Sequence, residues 1–415
     1  MADENRMITF NYARTTWDQF KKQTVPSSNE CMTKSEIISY FNVDSSPLNP
    51  YANNQLIRRD KFLGITPFEF EFLNFTDGNI NDVEFISNTK LAVIGSFQSY
   101  SGYGGSKQLV LINKNGQPDY TFDPTVFYTT NIKNGFDVNP KKIVYFKNAN
   151  NLIITGQFTK YYNLTQRGII SVKLTGEKNS SFFNNGFDSY SSDMEISANS
   201  DYLFLNPSNN NINNYNNSGP PTILVFDING QNIYSSDNYS NFPGIISTDT
   251  VLLTLRTTSS NNSIVERSYF NLSSKITTYI TTTENTSSKY FAYNPDNNYV
   301  IFVSYSTNLK FYIYDINGTL IRNFNYSNTN LYLYKFTINN YIILYNTEQI
   351  VILDLYGNLI NTISNFTGQI FGVKKTPLNN IIIFGSITKY NNVNIPKIVI
   401  IDILGNIKSN YIIPA

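Results

Sequence analysis

The sequence predicts an all-β protein: a β-propeller, with seven blades as the best count, that follows a small, partly helical N-terminal module. The chain of 415 residues contains 31 Tyr and 30 Phe, and aromatic and β-branched residues favour strands. A unit of about four short strands recurs along the chain, and such a unit must stack on its neighbours to bury both faces. We therefore place the module at residues 1–64 and the propeller at residues 65–415.

The repeating unit is clearest between Leu91 and Asp123. Residues 91–97 form a β-branched and aromatic run, and a loop rich in Gly and Ser separates them from a second apolar run, residues 108–112. Asn115-Gly116 then predicts a hairpin turn of type I′, and a further strand begins at Tyr120. The same order of strands and turns returns at residues 151–183 and 380–413.

The repeats align on the turn that precedes the last strand of each unit, and successive turns are 39 to 60 residues apart. Seven units result, with six and eight as the alternatives. A ring of blades must close, and two stretches compete for the closing strand, residues 68–75 and 407–413. The aligned turns are Asn115-Gly116, Thr175-Gly176, Asn229-Gly230, Ser273-Ser274, Asn317-Gly318, Tyr356-Gly357 and Leu404-Gly405.

Three of the units share a further pattern, which reads GSFQSY, GQFTKYYN and GSITKYNN and begins at Gly95, Gly156 and Gly385. These copies resemble the bacterial β-propeller repeat called delta sixty, in which a glycine, a small residue and Phe precede a polar loop. The resemblance implies a propeller, often found in surface or phage tail proteins, and no conserved enzymatic activity.

The N-terminal module differs from the rest of the chain. Residues 16–24 and 33–41 predict two short helices, the second with Thr33 and Glu36 at the spacing of a capping box. The segment is too short to build a sizeable core, so its apolar residues pack either on the propeller or on a partner protein. The candidate docking residues are Trp17, Phe20, Ile37, Ile38, Phe41, Arg58 and Arg59.

Within this module, CMTKSEIISYFNV and NPYANNQLIRRDKF, residues 31–43 and 49–62, resemble an N-terminal module of structural proteins of crAss-like bacteriophages. The resemblance covers some thirty residues and contains no catalytic signature. It implies that residues 1–64 dock the chain onto other proteins of a phage particle, in the tail or neck.

Composition excludes several classes of function. The formal net charge is +1, so we expect no nucleic-acid partner. The chain has no His and a single Cys, which removes His-dependent triads and zinc sites. No apolar run approaches the length of a membrane helix. We therefore expect no catalytic residue, no cofactor or metal and no membrane insertion.

Acidic residues leave a glycosidase as the least favoured alternative, since propellers can carry a carboxylate pair at the central channel. The strongest candidates are Asp227, Asp315, Asp354 and Asp402, which recur in register just before the turns. Recurrence in register favours a structural role in capping each turn through its backbone N–H groups. Two loops, residues 77–79 and 296–298, offer oxygen ligands for calcium but lack the spacing of a known site.

Tyrosines in the loops of three units are the candidate binding residues. Amphipathic rings beside amide groups suit stacking on a sugar or on a protein face, although the same rings could instead pack on the next blade. The candidate surface-binding residues are Tyr100, Tyr103, Tyr161, Tyr162 and Tyr390.

These observations predict a structural protein of a bacteriophage virion, bound to other virion proteins and presenting its propeller for assembly or for recognition of a host glycan or protein. The alternative is a carbohydrate-binding, adhesin-like propeller of a bacterial surface.

Overall fold

The chain divides into two compact units, residues 1–69 and 70–415. The predicted helices and all seven candidate docking residues of the N-terminal module lie outside the described residues. The computed structural model describes residues 69–73, 75, 77–101, 107–126, 135–162, 164–183, 186, 191–197, 199–207, 224–235, 244–247, 251–257, 263–269, 275–282, 290–305, 308–327, 330–334 and 336–412.

The described part of the second unit is built almost entirely of strands, with one 3-10 helix at Pro124–Val126. The strands are β1 (Phe70–Leu73), β2 (Ile80–Ser87), β3 (Lys90–Gly95), β4 (Leu109–Asn113), β5 (Pro140–Phe146), β6 (Asn151–Gly156), β7 (Lys160–Tyr161), β8 (Leu164–Thr165), β9 (Ile169–Lys173), β10 (Ser191–Ile196), β11 (Tyr202–Pro207), β12 (Leu224–Asp227), β13 (Asn232–Ser235), β14 (Gly244–Ser247), β15 (Val251–Thr257), β16 (Ser263–Tyr269), β17 (Lys275–Thr282), β18 (Tyr290–Asn294), β19 (Tyr299–Tyr305), β20 (Leu309–Asp315), β21 (Leu320–Tyr326), β22 (Tyr332–Leu333), β23 (Ile342–Tyr345), β24 (Ile350–Leu353), β25 (Leu359–Ile363), β26 (Phe366–Thr367), β27 (Ile370–Lys375), β28 (Ile381–Gly385), β29 (Lys389–Tyr390), β30 (Val393–Asn394), β31 (Ile398–Ile401) and β32 (Ser409–Ile412).

Within the described residues, seven of the antiparallel sheets follow one another along the chain as blades, which we number 1 to 7; β7-β8 and β26-β29-β30 form two smaller sheets. Blades 3 to 6 are the four-stranded sheets β10–β13, β14–β17, β18–β21 and β22–β25. Blades 1, 2 and 7 have the three-stranded cores β2-β3-β4, β5-β6-β9 and β27-β28-β31. In these three blades the fourth strand begins as a single bridge to the third, at Pro118, Lys178 and Ile407.

Apolar side chains between adjacent blades hold the sheets in a ring, as expected when no blade can bury both faces alone. One buried cluster joins Ile94 of blade 1 to Ile143 of blade 2, and similar clusters join blades 2 and 3, 5 and 6, and 6 and 7. Strand β14 contacts β10 and β18, so blade 4 lies between blades 3 and 5. In the described residues the fold is a seven-bladed β-propeller, and the predicted all-β propeller class is confirmed for this part of the chain.

The ring closes through its first and last strands. β1 and β32 pair in parallel, with Phe70 opposite Ser409 and Leu73 opposite Ile412. Phe70 and Phe72 are buried in one cluster with residues of both blade 1 and blade 7. The two stretches that the sequence offered as competitors for the closing strand therefore pair with each other, and both take part in the closure.

Six of the seven aligned turns are present, and the first is not of the predicted type I′; the remaining one, Ser273-Ser274, lies outside the described residues. Gly116 donates its N–H to Asn113 O at 2.8 Å, so Lys114 and Asn115 are the central residues of the turn. Of these residues only Gly116 has a positive φ, 78°. This is a type I turn followed by a glycine in the left-handed region, the G1 bulge. Its hydrogen bond recurs at Gly176, Gly230, Gly318, Gly357 and Gly405.

Candidate binding site in the central channel

The innermost strands of the blades surround a cavity of ≈ 1440 Å³ at the centre of the ring. First strands dominate its lining because each blade presents the edge of that strand to the axis. Among the described residues, the polar side chains that line the cavity include Asn81, Asp82, Glu84, Lys141, Lys142 and Lys374.

A cluster of three charged side chains lies within this cavity. Lys374 Nζ lies 3.0 Å from Asp82 Oδ1 and 3.1 Å from Glu84 Oε2, and it donates to Ile143 O at 3.4 Å. These partners belong to blades 1 and 2, whereas Lys374 is the penultimate residue of β27 in blade 7. One lysine side chain therefore connects three consecutive blades at the axis of the ring.

Asp82 is the most enclosed member of this cluster, and its side chain is 4% exposed. Its carboxylate accepts the N–H of Val83 at 2.9 Å and the N–H of Ile143, in the next blade, at 3.0 Å. Two backbone donors and one ammonium group thus compensate the buried charge, as a buried carboxylate requires. The arrangement is that of a structural ion pair.

The pKa values of the cluster follow from its single cation between two carboxylates. Burial alone would lower the pKa of Lys374, but the charges of Asp82 and Glu84 outweigh it and raise that pKa above its usual value. Burial raises the pKa of Glu84, and the neighbouring charge of Asp82 adds to this effect although Lys374 opposes it. The cluster is best stabilised with Lys374 charged.

Sequence reasoning did not identify this cluster. Glu84 pairs with Ala92, Val144 with Ile153 and Lys374 with Ile382, which are equivalent positions of the first and second strands. Equivalent positions lie at one level of the ring, so the repeat alignment could have shown an acid and a base at the same height. The signal was a pair of opposite charges at repeat-equivalent sites about 290 residues apart.

The cluster does not provide the geometry of a glycosidase. Both carboxylates contact the same ammonium group, so they form a bridged ion-pair cluster and not the pair of separate acid and nucleophile or base that glycoside hydrolysis uses. The acids singled out from the sequence, by contrast, lie at the turns between third and fourth strands and not in the cavity lining.

Those turn acids perform the predicted structural role. Asp354 Oδ1 accepts the N–H groups of Tyr356 and Asn358 at 2.8 and 2.9 Å. The carboxylates of Asp227, Asp315 and Asp402 accept the N–H groups two and four residues further on in the same way. The prediction that these aspartates cap the turns is confirmed.

The loop tyrosines are not at the surface. Tyr100, Tyr161, Tyr162 and Tyr390 are all less than 9% exposed, and a buried ring offers no face to a ligand. The four rings therefore do not form the predicted binding surface, and the packing alternative describes them. Tyr103 lies outside the described residues.

Three of these tyrosines make the same contact. Tyr100 donates its hydroxyl hydrogen to Gly116 O at 2.9 Å, Tyr161 to Gly176 O at 3.1 Å and Tyr390 to Gly405 O at 2.8 Å. Each bond ties the loop after the second strand to the glycine turn of the same blade. Burial of the phenol is compensated by this hydrogen bond.

Both candidate calcium loops take part in local hydrogen bonds. Asp77 accepts the N–H of Gln98, and the N–H of Asp296 donates to Asn294. Within the described ranges, no group of three or more His, Cys, Asp and Glu side chains could hold a metal ion. No helix in those ranges has the length and apolar character that a membrane crossing requires.

No protein-family model matches the sequence, and no curated protein matches it significantly. Similar solved structures include the WD40 β-propeller domain of Doa1, at a TM-score of 0.47 and 14% identity over 75% of this chain and 90% of that chain. The Dos1 propeller matches at a TM-score of 0.47 and 11% identity, over 82% of this chain and 97% of that chain. BamB from Moraxella catarrhalis matches at a TM-score of 0.43 and 11% identity, over 74% of this chain and 82% of that chain. These likenesses concern the fold alone.

Proposed function

We propose that the chain is a structural protein of a bacteriophage particle, in the tail or neck, which docks through its N-terminal module. The propeller serves there as a rigid, non-catalytic platform for virion assembly or for recognition of the host surface. Its partners are other virion proteins, with a host glycan or protein as a second partner during infection.

The observation that carries this proposal is that the recurrent polar groups of the propeller are used to brace it. The turn aspartates bond to their own turns, the loop tyrosines to the turn glycines, and the strands β1 and β32 to each other. Such a ring holds its loops in fixed positions, which suits presentation to a partner. The absence of His supports a role without catalysis. The resemblance of residues 31–62 to crAss-like phage proteins supports the virion.

The test is the composition of purified particles. Mass spectrometry of tryptic peptides should detect the chain in phage particles at the level of other tail proteins, and electron microscopy should show a ring-shaped domain at the tail or neck. Changing Trp17 and Phe20 to Ala should remove the chain from the particle. Absence of the unmodified chain from particles would contradict the proposal.

The second candidate, a carbohydrate-binding propeller at a bacterial surface, is favoured by the open central cavity. Surface labelling of intact cells with an antibody against the chain separates the two, because a virion component should be detected on particles and not on uninfected cells.

A further inference from the structure

One end of the central cavity differs in charge from its interior. In blades 1, 2 and 7 the first strand begins opposite the glycine that ends the second strand. The residues that follow that first position are Asn81, Lys141 and Phe371, and all three line the cavity. Because these positions are equivalent in the repeat, the three side chains lie at one level of the ring, which we call the mouth.

Lys141 at the mouth, and Lys142 one level further in, have positive charge that is not part of an ion pair with any described residue. Lys141 and Lys142 are exposed, and in the part of the chain that the structure describes neither makes an ion pair. The acids on the preceding strand, Asp82 and Glu84, are both bound to Lys374, and Glu195 of blade 3 also lines the cavity. Two free ammonium groups at the opening of a cavity attract anions and raise their local concentration.

The mouth also has an exposed aromatic ring. Phe371 is 40% exposed, whereas Ile370 and Val373 of the same strand are buried between blades 6 and 7. Further along the wall, Tyr334 and Tyr345 of blade 6 line the same cavity. Tyrosine combines an apolar ring with a hydroxyl group, so this wall can contact a ligand that has both apolar and hydroxylated faces.

The size of the cavity limits the ligand. Sites for small molecules occupy about 300–1,000 Å³, and the cavity of ≈ 1440 Å³ exceeds that range. A ligand longer than a single metabolite fits such a space, provided that it carries negative charge for the lysines and an apolar face for Phe371. An oligosaccharide of uronic acids has both, since each sugar ring has a carboxylate and a face of C–H groups.

We propose that the central cavity binds an anionic oligosaccharide, with its carboxylates at Lys141 and Lys142 and one sugar ring against Phe371. This site replaces the buried tyrosines as the place where the propeller would contact a glycan. The inference does not depend on the virion assignment, since it concerns binding by the isolated chain in solution.

The test is calorimetric titration of the full chain with tetragalacturonate and with an uncharged tetrasaccharide of similar size. The acidic sugar should bind at least about tenfold more tightly, and its affinity should fall when salt rises from about 0.05 to about 0.5 M. Changing both Lys141→Glu and Lys142→Glu should reduce affinity about tenfold or more. F371A should weaken the acidic and the neutral sugar by the same factor.

The matched control is Lys389→Glu, which reverses one exposed charge of blade 7 outside the cavity lining and should leave the affinity unchanged. Circular dichroism checks that each variant folds, and Lys141→Gln with Lys142→Gln gives a milder second test. Failure of the acidic sugar to bind, or equal affinity for both sugars, overturns the proposal. Retained affinity in both lysine variants, or tighter binding of tetraglutamate, which would indicate a peptide site, also overturns it.

Discussion

Blades 1, 2 and 7 differ from blades 3, 5 and 6 in how they hold the turn before the fourth strand. In the first group the second strand ends in glycine, and a loop tyrosine bonds to the turn glycine from the side. In the second group the turn begins with Asp227, Asp315 or Asp354, whose carboxylate bonds to the turn backbone. Blade 7 uses both devices, since it also contains Asp402.

The difference teaches that reinforcement is concentrated where the ring closes. Blades 7, 1 and 2 are consecutive around the closure, and Lys374 connects the same three blades at the axis. The local hairpin bonds of blades 3, 5 and 6 need only a few residues of one strand pair. The tyrosine and lysine contacts instead cross a loop or a blade boundary.

The largest loss of stability should come from breaking the contact of Lys374 with Asp82 and Glu84. Changing Lys374→Met leaves the carboxylate of Asp82 buried without its cation, and removal of one partner of a buried pair costs about 3–5 kcal/mol. Urea denaturation should show this loss in the free energy of unfolding. Lys389→Met, in an exposed position of the same blade, should change it little. A triple variant with Asp82→Asn and Glu84→Gln should recover part of the loss; an unchanged stability of Lys374→Met would show that the cluster does not brace the ring.

The second effect concerns the glycines that end the second strands. A Cβ at Gly95 would lie 2.0 Å from Asn79 O, whereas at Gly156 its nearest neighbour, Pro140 Cα, is 3.0 Å away. Overpacking costs about 1–3 kcal/mol of stability. The loss caused by Gly95→Ala should be at or above the upper end of that range, and the loss caused by Gly156→Ala should be near its lower end. Thermal denaturation measures both, and equal costs would mean that the backbone of blade 1 relaxes around the added carbon.

The third prediction compares the two devices that hold the turns. Tyr161→Phe removes one hydrogen bond to Gly176 O and should cost about 1 kcal/mol. Asp354→Ala removes the cap of an exposed turn and should also cost about 1 kcal/mol. The two losses should add in the double variant because the residues lie in different blades. Chemical denaturation of the two single variants and the double variant checks this, and strong non-additivity would indicate coupling through the ring.

The smallest effect is a pH dependence of the stability of the blades whose turns are capped by aspartate. Hydrogen bonds from Thr319 and neighbouring N–H groups lower the pKa of Asp315. Burial alone would raise the pKa values of Asp354 and Asp402, but hydrogen bonds from Asn358 and Asn406 outweigh it and lower both pKa values. A folded-state pKa below the unfolded value means that this stabilisation is present above about pH 4 and is lost as pH falls through the folded value.

Changing Asp315, Asp354 and Asp402 to Asn should therefore make the fall in stability between about pH 4 and pH 2 shallower. The amide oxygen of Asn can still accept the turn N–H groups, so the variant should remain close to the unmodified chain at pH 7. Denaturation midpoints across that pH range provide the measurement. A fall in stability at low pH as steep as in the unmodified chain would show that other carboxylates, such as Asp119 and Asp137, control the acid sensitivity.

Features that depend on short stretches of sequence were predictable. The seven-unit repeat and the caps formed by Asp227 and its equivalents follow from neighbouring residues, and both are confirmed. The burial of Tyr161 was not predictable, because the sequence of a loop does not show whether it folds back onto its own turn. The cluster of Lys374 with Asp82 and Glu84 depends on contacts between opposite ends of the repeat array. No local pattern reports such contacts, and only the equivalence of positions between repeats could have indicated them.

The pairing of β1 with β32 has a consequence for biosynthesis. The two strands are separated by more than three hundred residues, so blades 1 to 6 leave the ribosome before the strand that completes the circle exists. Until Ser409–Ile412 are translated, β1 has no partner there and the edges of the first and last blades are open to other chains. A nascent chain that stalls before residue 409 is therefore expected to aggregate or to be degraded, and translation of Ser409–Ile412 acts as a checkpoint for closure of the ring.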